Sequence, residues 1–479
     1  MVNPKNMNCR NKCVMKKQLN MIFIGLAAVV MTGCKSLYGK YERPDVNAEG
    51  IVRDPVSLTD TLQGQAGETF GNLPWRSVFT DPQLQQLIET ALANNPDLLN
   101  AAINVNMAEA QLKASRLAFL PQFTFTPQGT IASWDGQKAT KTYQLPIAAS
   151  WNVDLFGNLL SQKRAAQVAL LASKDYQVAV QANIISGVAN MYYTLLMLDE
   201  QMKVITNMEQ LTHETWQTMQ TLKETRVGYR STSVQSAQAN YYSVQAQRID
   251  MQRQIREVEN SLSLLLGQPV QTIARGKLEN QMLPTEFSLG VGIQLLANRA
   301  DVHAAEMKLA QCFYGIETAR SRFYPQITIS PSGTFTNSGG MGIVNPGKWL
   351  LSAVGALTQP IFMKGQLTMG LRVAKAQYEQ AYNSWQNAVL TAGSEVSNAL
   401  VQYNSADEKS KVEAQQIEVL RQNVNDTREL FAGAGNSTYL EVIQAQSSLL
   451  NAQLSKIADD FSKMQAVVSL YQALGGGAQ

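Results

Sequence analysis

Residues 143–155 read Tyr143-Gln144-Leu145-Pro146-Ile147-Ala148-Ala149-Ser150-Trp151-Asn152-Val153-Asp154-Leu155, and here every second side chain is apolar. Tyr143, Leu145, Ile147, Ala149, Trp151, Val153 and Leu155 share one face. Gln144, Ala148, Ser150, Asn152 and Asp154 share the other. A period of two belongs to a β-strand, whose successive side chains point to opposite sides of the pleat. The phase returns downstream in Trp349, Leu351, Ala353, Gly355, Leu357 and Ile361, set against Ser352, Ala356 and Thr358. Phe123 and Phe125, and Ile327 and Ile329, mark shorter partners upstream of each run. Two hairpins are predicted, about 122–155 and 326–361. Strands of roughly 13 residues at ~3.3 Å per residue span a tilted hydrocarbon layer ~30 Å thick.

Working outward, the two hairpins belong to two copies of one plan. Leu92, Ala93, Asn94, Asp97, Ala101, Pro121, Gln122 and Thr124 recur 204 positions later as Leu296, Ala297, Asn298, Asp301, Ala305, Pro325, Gln326 and Thr328. Leu155-Phe156 recurs as Ile361-Phe362 at a spacing of 206, and from Gly157/Gly365 onward the spacing is 208. Val188/Val396, Asn190/Asn398, Ala237-Gln238/Ala445-Gln446 and Leu266-Gly267/Leu474-Gly475 follow it. Duplication of this kind builds a pseudo-symmetric scaffold.

Beyond Gly157 and Gly365 the period becomes helical. Residues 158–227 contain no proline and one interior glycine, Gly187, which predicts about 100 Å of continuous helix. Val188, Met191, Leu195, Leu198, Met202 and Ile205 step by three and four, as a coiled-coil seam does. A turn then leads into a return helix over 232–266. The second copy predicts a long helix over 365–430 and a return helix over 437–474, with a seam of Leu440, Ile443, Ser447, Leu450, Leu454, Ile457, Phe461, Met464, Val468 and Tyr471. The return seams of the two copies differ by two positions. A helix in a closed wall has two neighbours, so either register, or both, fits. Ahead of the first hairpin, Asp81-Pro82 opens a helix as N-cap and first helical residue. Asn94-Asn95-Pro96 breaks it, and a second helix runs to Leu120. The helices 97–120 and 232–266, about 36 and 52 Å long, nearly match one long helix when stacked end to end. A tubular wall of even height is therefore expected.

The N-terminus is a targeting signal. Lys16 and Lys17 precede an apolar core from Met21 to Met31, too short to remain as a spanning helix, so residues 1–33 are expected to be cleaved. A start at Met15 would make the signal more typical. Met31-Thr32-Gly33-Cys34 resembles the lipobox of bacterial lipoproteins. That resemblance implies diacylglycerol and a further acyl chain on Cys34, enough chains for stable anchoring. Lys35-Ser36 lacks the aspartate associated with inner-membrane retention, which favours the outer membrane. Residues 34–80, with Pro44, Pro55 and Pro74, read as an extended leader. Repeat 1 follows over 81–267, an equatorial linker over 268–289 and repeat 2 over 290–475. Once Cys9, Cys13 and Cys34 are set aside, Cys312 is left, so no disulfide framework is possible. The 479-residue chain has a net charge of +3 with 16% charged residues, unlike a clustered basic nucleic-acid surface.

Four membrane strands per chain would leave two open edges, whose unpaired amides cannot sit in lipid. Closure needs strands from further copies, and a polar inner face of Ser, Thr, Gln and Asn suits a barrel wide enough to hold a lumen.

The lipobox, the duplicated hairpin-plus-long-helix plan and the segment Phe431–Gln446, with Thr438-Tyr439-Leu440-Glu441-Val442-Ile443-Gln444-Ala445-Gln446, resemble the TolC-like outer membrane factors. Within these the match is to the lipoprotein branch typified by the OprM and CusC channels, and it covers roughly residues 35–475. The resemblance implies an α+β membrane protein, internally duplicated. A long α-helical coiled-coil barrel would join four transmembrane β-strands per chain, closed by trimerisation into a twelve-stranded barrel. It further implies an efflux channel working with a periplasmic adaptor and an inner-membrane pump of the resistance–nodulation–division type. In the resembling channels a bulky aliphatic residue and a carboxylate one helical turn later narrow the periplasmic end. Those positions fall on Leu440 and Gln444. The carboxylate is missing there, and Glu441 beside it is the acidic candidate. Tyr143, Trp151 and Trp349 are candidates for interfacial aromatic positions.

A search for catalytic chemistry finds near-misses. Gly342 to Lys348 has Walker A spacing, but Trp349 replaces the Mg²⁺-binding Ser/Thr, and an exposed loop is expected. His213-Glu214 begins like a zincin helix without its second histidine, and His303 lies on another helix. No enzyme, no metal site and no cofactor beyond the lipid on Cys34 are expected. A periplasmic coiled-coil lipoprotein, acting as adaptor or structural component, is the rival reading. It lacks the β-barrel and lipoyl-like domains that adaptors carry.

Overall fold

The computed structural model describes residues 39–45, 70–133, 135–225, 230–284, 299–338, 343–432 and 438–477. The expected signal, Cys34, most of the leader and residues 226–229 and 433–437, where turns are expected, lie outside these. The chain forms two compact units. One joins the leader up to Asp45 to Asn106–Ala172 and Ala305–Trp385; the other joins Val46–Val105, Ser173–Ala304 and Gln386–Gln479.

The order of elements is α1 (Trp75–Val78), α2 (Pro82–Asn94), α3 (Pro96–Leu117), β1 (Gln122–Phe125), β2 (Gln128–Ala132), β3 (Thr140–Val153), α4 (Asn158–Thr225) and α5 (Ser231–Leu265). The second half repeats it with α6 (Ala300–Ser321), β4 (Gln326–Ser338), β5 (Ile343–Thr358), α7 (Gln366–Ala432) and α8 (Tyr439–Ala473). Gly157 and Gly365 stand at φ +67° and +79°, left-handed values that a Cβ disfavours. They stand at the junction between each second strand and its long helix.

The first unit holds one antiparallel sheet in the order β1-β3-β4-β5, with β2 also on β3. The first hairpin is interrupted on its outer strand. Pro127 has no N–H to give to the ladder, so β1 ends at Phe125 and β2 restarts at Gln128. The two hairpins meet through β3 and β4, where Leu145 faces Phe335 and Trp151 faces Ile329. Residues 343–348 correct the expected loop: they form the start of β5, with Lys348 opposite Thr336. Ser338 pairs with Ile343, so the ladder continues into this segment despite its lack of apolar alternation.

The second unit carries the core. Val188, Tyr192, Leu195 and Leu196 of α4 pack with Leu84 and Ile88 of α2, Leu262 of α5 and Val468 and Tyr471 of α8. Asp81 caps α2 by accepting from the Gln83 amide at 2.9 Å. Its second oxygen accepts from Tyr192 Oη at 2.6 Å and Gln281 Nε2 at 2.7 Å. Burial opposes ionisation of Asp81, but these donors outweigh it and hold the carboxyl below its usual range.

The return helix α8 uses two seams. Ala445, Leu449 and Ala452 pack on Ile417 and Val424 of α7, while Leu450 packs with Ile205 and Met208 of α4 and Val244 of α5. Both registers left open by the repeat are therefore occupied. One correction follows: Leu440 is not in a seam. It is 62% exposed, and burial begins at Val442. The Thr438 N-cap sets this phase, turning Val442 and Ala445 inward.

The duplication persists in the caps. Gln268 donates its amide to Ser263 O at 3.0 Å beyond α5, and Gly476 donates to Tyr471 O at 2.9 Å beyond α8. These are Schellman closures at equivalent positions. The Asn95 side chain donates to Leu265 O at 2.9 Å, while Arg299 Nη1 donates to Ala473 O at 3.1 Å. Asn95 and Arg299 are themselves 204 apart, and the carbonyls they hold are 208 apart. Different side chains hold corresponding joints.

Candidate functional site

The candidate functional surfaces are the two faces of the sheet and the start of α8. Registration converts the strand alternation into rows across four strands. On one face Phe125, Ile147, Gly333 and Leu351 form a row, and Val153, Ile327 and Leu357 another. Leu351 and Leu357 are largely exposed in the single chain, at 79% and 68%. The opposite face carries Thr124, Ala148, Ser332 and Ser352 in one row and Asn152 with Thr328 in another. Ser332 and Ser352 hydroxyls pair at 2.8 Å, and Thr328 Oγ1 donates to Asn152 Oδ1 at 2.9 Å. No helix among the described residues is long and apolar enough to cross a membrane. The apolar membrane-facing candidate is the sheet.

The aromatic candidates lie toward opposite ends of that apolar face, with the Val153 row beyond Trp151. Tyr143 and Trp349 each pack against Phe335, with ring centroids 6.0 and 5.6 Å apart. Trp151 lies eight residues from Tyr143 along β3, roughly 26 Å at strand rise. Its indole donates to Phe119 O at 2.9 Å. Phe335 was missed from the sequence because it lies on the less apolar strand, though its position in the period-two phase could have found it.

At the start of α8 the structure brings Leu440 and Gln444 onto one exposed stripe. Glu441 is placed otherwise. It completes a capping box, its carboxylate accepting from the Thr438 amide at 2.8 Å while Thr438 Oγ1 accepts from the Glu441 amide. This is a local structural role that the Thr-x-x-Glu spacing signals directly. The two histidines are apart. His213 packs among Trp216 and Tyr241, and His303 Nδ1 lies 2.6 Å from Asp175 Oδ2. Among the described residues no group of three metal-ligating side chains assembles. Cys312 is half-buried on α6, where burial pushes its thiol up.

The model of the family described as outer membrane efflux protein matches residues 87–268 and 292–476, one block for each repeat. The chain belongs to this family. Among its relatives is the cation efflux system protein CusC of Escherichia coli O6:H1, 27% identical over 465 residues, covering 94% of this chain and 97% of that protein. A probable outer membrane lipoprotein, SilC of Salmonella typhimurium, is 25% identical over 454 residues, covering 94% and 96%. The solved outer-membrane channel OprN superposes with a TM-score of 0.82 at 23% identity, over 92% of this chain and 99% of that one, and so shares the fold. The protein is thus an outer membrane efflux protein, an α+β outer-membrane channel. The family and fold expected from the resemblance hold.

Proposed function

We propose that three copies of this chain close a twelve-stranded barrel that passively conducts substrates handed over by an inner-membrane pump and a periplasmic adaptor. The observation that carries the reading is the two-faced sheet with open outer strands. Among the described residues β1 and β2 pair only with β3, and β5 only with β4. Unpaired edges cannot remain in lipid, so copies complete one another. The apolar rows then face lipid, and the Ser, Thr and Asn rows line water. Tyr143 and Trp349 mark one membrane boundary and Trp151 the other; Tyr143 and Trp151 are roughly 26 Å apart along β3, about 20 Å of height at a strand tilt of about 40°, on the scale of the apolar band about 25 Å tall between aromatic girdles. Cys34, acylated after cleavage at residue 33, adds a lipid anchor, and residues 34–80 are its leader. Residues 268–289 link the two repeats. A conduit of this kind needs no catalytic step, and the group it would carry is the lipid on Cys34.

Leu440 and Gln444 present an exposed stripe that would narrow the periplasmic end in a ring of three, with Glu441 fixing the helix start. Purified protein in a planar bilayer tests the whole reading. Heat-modifiable trimers with conductance are expected, and a water-soluble monomer would refute it. Leu440→Ala with Glu441→Ala should raise single-channel conductance; unchanged conductance would remove the constriction from these residues.

A further inference from the structure

The leader is docked, and the docking is built around a buried charge. Glu306 on α6 is 5% exposed, and Arg43 of the leader supplies its partner. Arg43 Nε donates to Glu306 Oε1 at 2.9 Å and Nη2 donates to Oε2, a bidentate pair. Two residues earlier, the Tyr41 amide donates to Tyr314 Oη at 3.4 Å and its ring meets Phe313 edge-on at 6.0 Å. Gly39 donates nothing through a side chain but is also held. Its carbonyl accepts from Arg164 Nη1 at 3.2 Å, and a Cβ there would approach the Phe313 ring to 3.2 Å. Arg164 in turn lies 5.9 Å over the Tyr314 ring. Three of five successive residues, Gly39, Tyr41 and Arg43, thus bind the leader to α4 and α6 of the sheet unit. It runs antiparallel to α6, since Phe313 and Tyr314 are nearer β4 than Glu306 is.

We propose that residues 39–45 act as a clasp that sets the height of the lipid anchor relative to the sheet. The reach is short. Arg164 is six residues into α4, so Gly39 docks roughly 9 Å along the helix from the strand end. Cys34 precedes Gly39 by five residues, about 17 Å of fully extended chain. That length brings an acylated Cys34 to the level of the sheet's end with at most about 8 Å to spare. The clasp rests on the reading of Cys34 as the acylated residue; its own content is the fixed tether length.

Deleting Ser36, Leu37 and Tyr38 leaves about 7 Å of tether, less than the roughly 9 Å to be bridged. Outer-membrane trimer, measured as heat-modifiable oligomer, should then fall about tenfold. Glu306→Gln in the same shortened chain should restore it, because a released leader regains its slack. Mass spectrometry of the N-terminal peptide reports acylation separately. An unmodified Cys34 in the wild type sinks the anchor reading. An acylated wild type whose shortened form assembles normally, or is not rescued by Glu306→Gln, overturns the clasp. Trypsin gives a second readout on full-length protein in vesicles. Cleavage after Lys40 should be roughly tenfold faster in Glu306→Gln, as expected when a charge-assisted contact is lost from a locally opening segment. Reversing the pair as Arg43→Glu with Glu306→Arg should restore protection. Equal rates in wild type and Glu306→Gln would also overturn the proposal.

Discussion

At the scale of single residues, burial decides what each polar group can do. Asp81 combines a cap with two side-chain donors, and its folded pKa is depressed. A depressed carboxylate contributes stability above its unfolded pKa, about 3.9, and loses it as pH falls through the folded value. Asp81→Asn should therefore lower the urea midpoint at pH 7, and its difference from wild type should shrink below about pH 4. A pH-independent difference would mean the cap matters through shape alone. Tyr41 shows the opposite case. Its hydroxyl is buried without a hydrogen-bond partner among the described residues, and burial pushes its pKa up. Such a group costs free energy, so Tyr41→Phe should slow trypsin cleavage after Lys40 or leave it unchanged. Faster cleavage would show that the hydroxyl is used. Asp81 was legible in the sequence as an N-cap, though its bonds to Tyr192 and Gln281 were not; Tyr41 was not conspicuous. Arg43 and Glu306 are separated by 263 positions, and no local period links them. Asn95 and Arg299 escaped notice for another reason: the repeat preserves their position while changing their chemistry.

At the scale of elements, what could be read was whatever is periodic. The strand faces were legible because a two-residue alternation survives any error in strand ends. Strand ends themselves depended on Pro127, which splits the outer strand, and on residues 343–348, which pair despite a loop-like composition. The long helices were legible from missing breakers and from Gly157 and Gly365. Their seams were less so, because a helix with neighbours on two sides spreads its apolar residues over a wide arc. Placing Leu440 in the seam followed from that breadth, and only the capping box at Thr438 fixes the true phase. Gln446 shows how tightly the arc is used. It is 1% exposed, and its amide donates to Thr215 Oγ1 at 3.0 Å across α8 and α4. Thr215→Val should destabilise the helices by about 1–3 kcal/mol, by leaving that amide without its acceptor. Adding Gln446→Leu should recover much of the loss, read from thermal unfolding of the detergent-solubilised protein. Additive losses would argue against direct coupling.

At the scale of the whole molecule, the sheet faces make separable predictions. Leu351 is on the apolar face and Ser352 on the polar one, adjacent in sequence and on opposite faces of the sheet. Leu351→Arg should reduce outer-membrane assembly, since a cation near the bilayer midplane costs about 2–4 kcal/mol. Ser352→Arg should assemble normally and shift ion selectivity toward anions in bilayer recordings. If both fail alike, the two faces do not divide lipid from lumen. The joint between β3 and β4 carries a last consequence. It welds the two hairpins inside a single polypeptide, whereas the junction from β5 to the next copy has no covalent tie. A ring of three would then possess six joints of two kinds. Heat or harsh detergent should unzip it along three lines and release intact four-strand staves, never half-staves, so that the smallest particle on dissociation is one whole chain with its own sheet still joined.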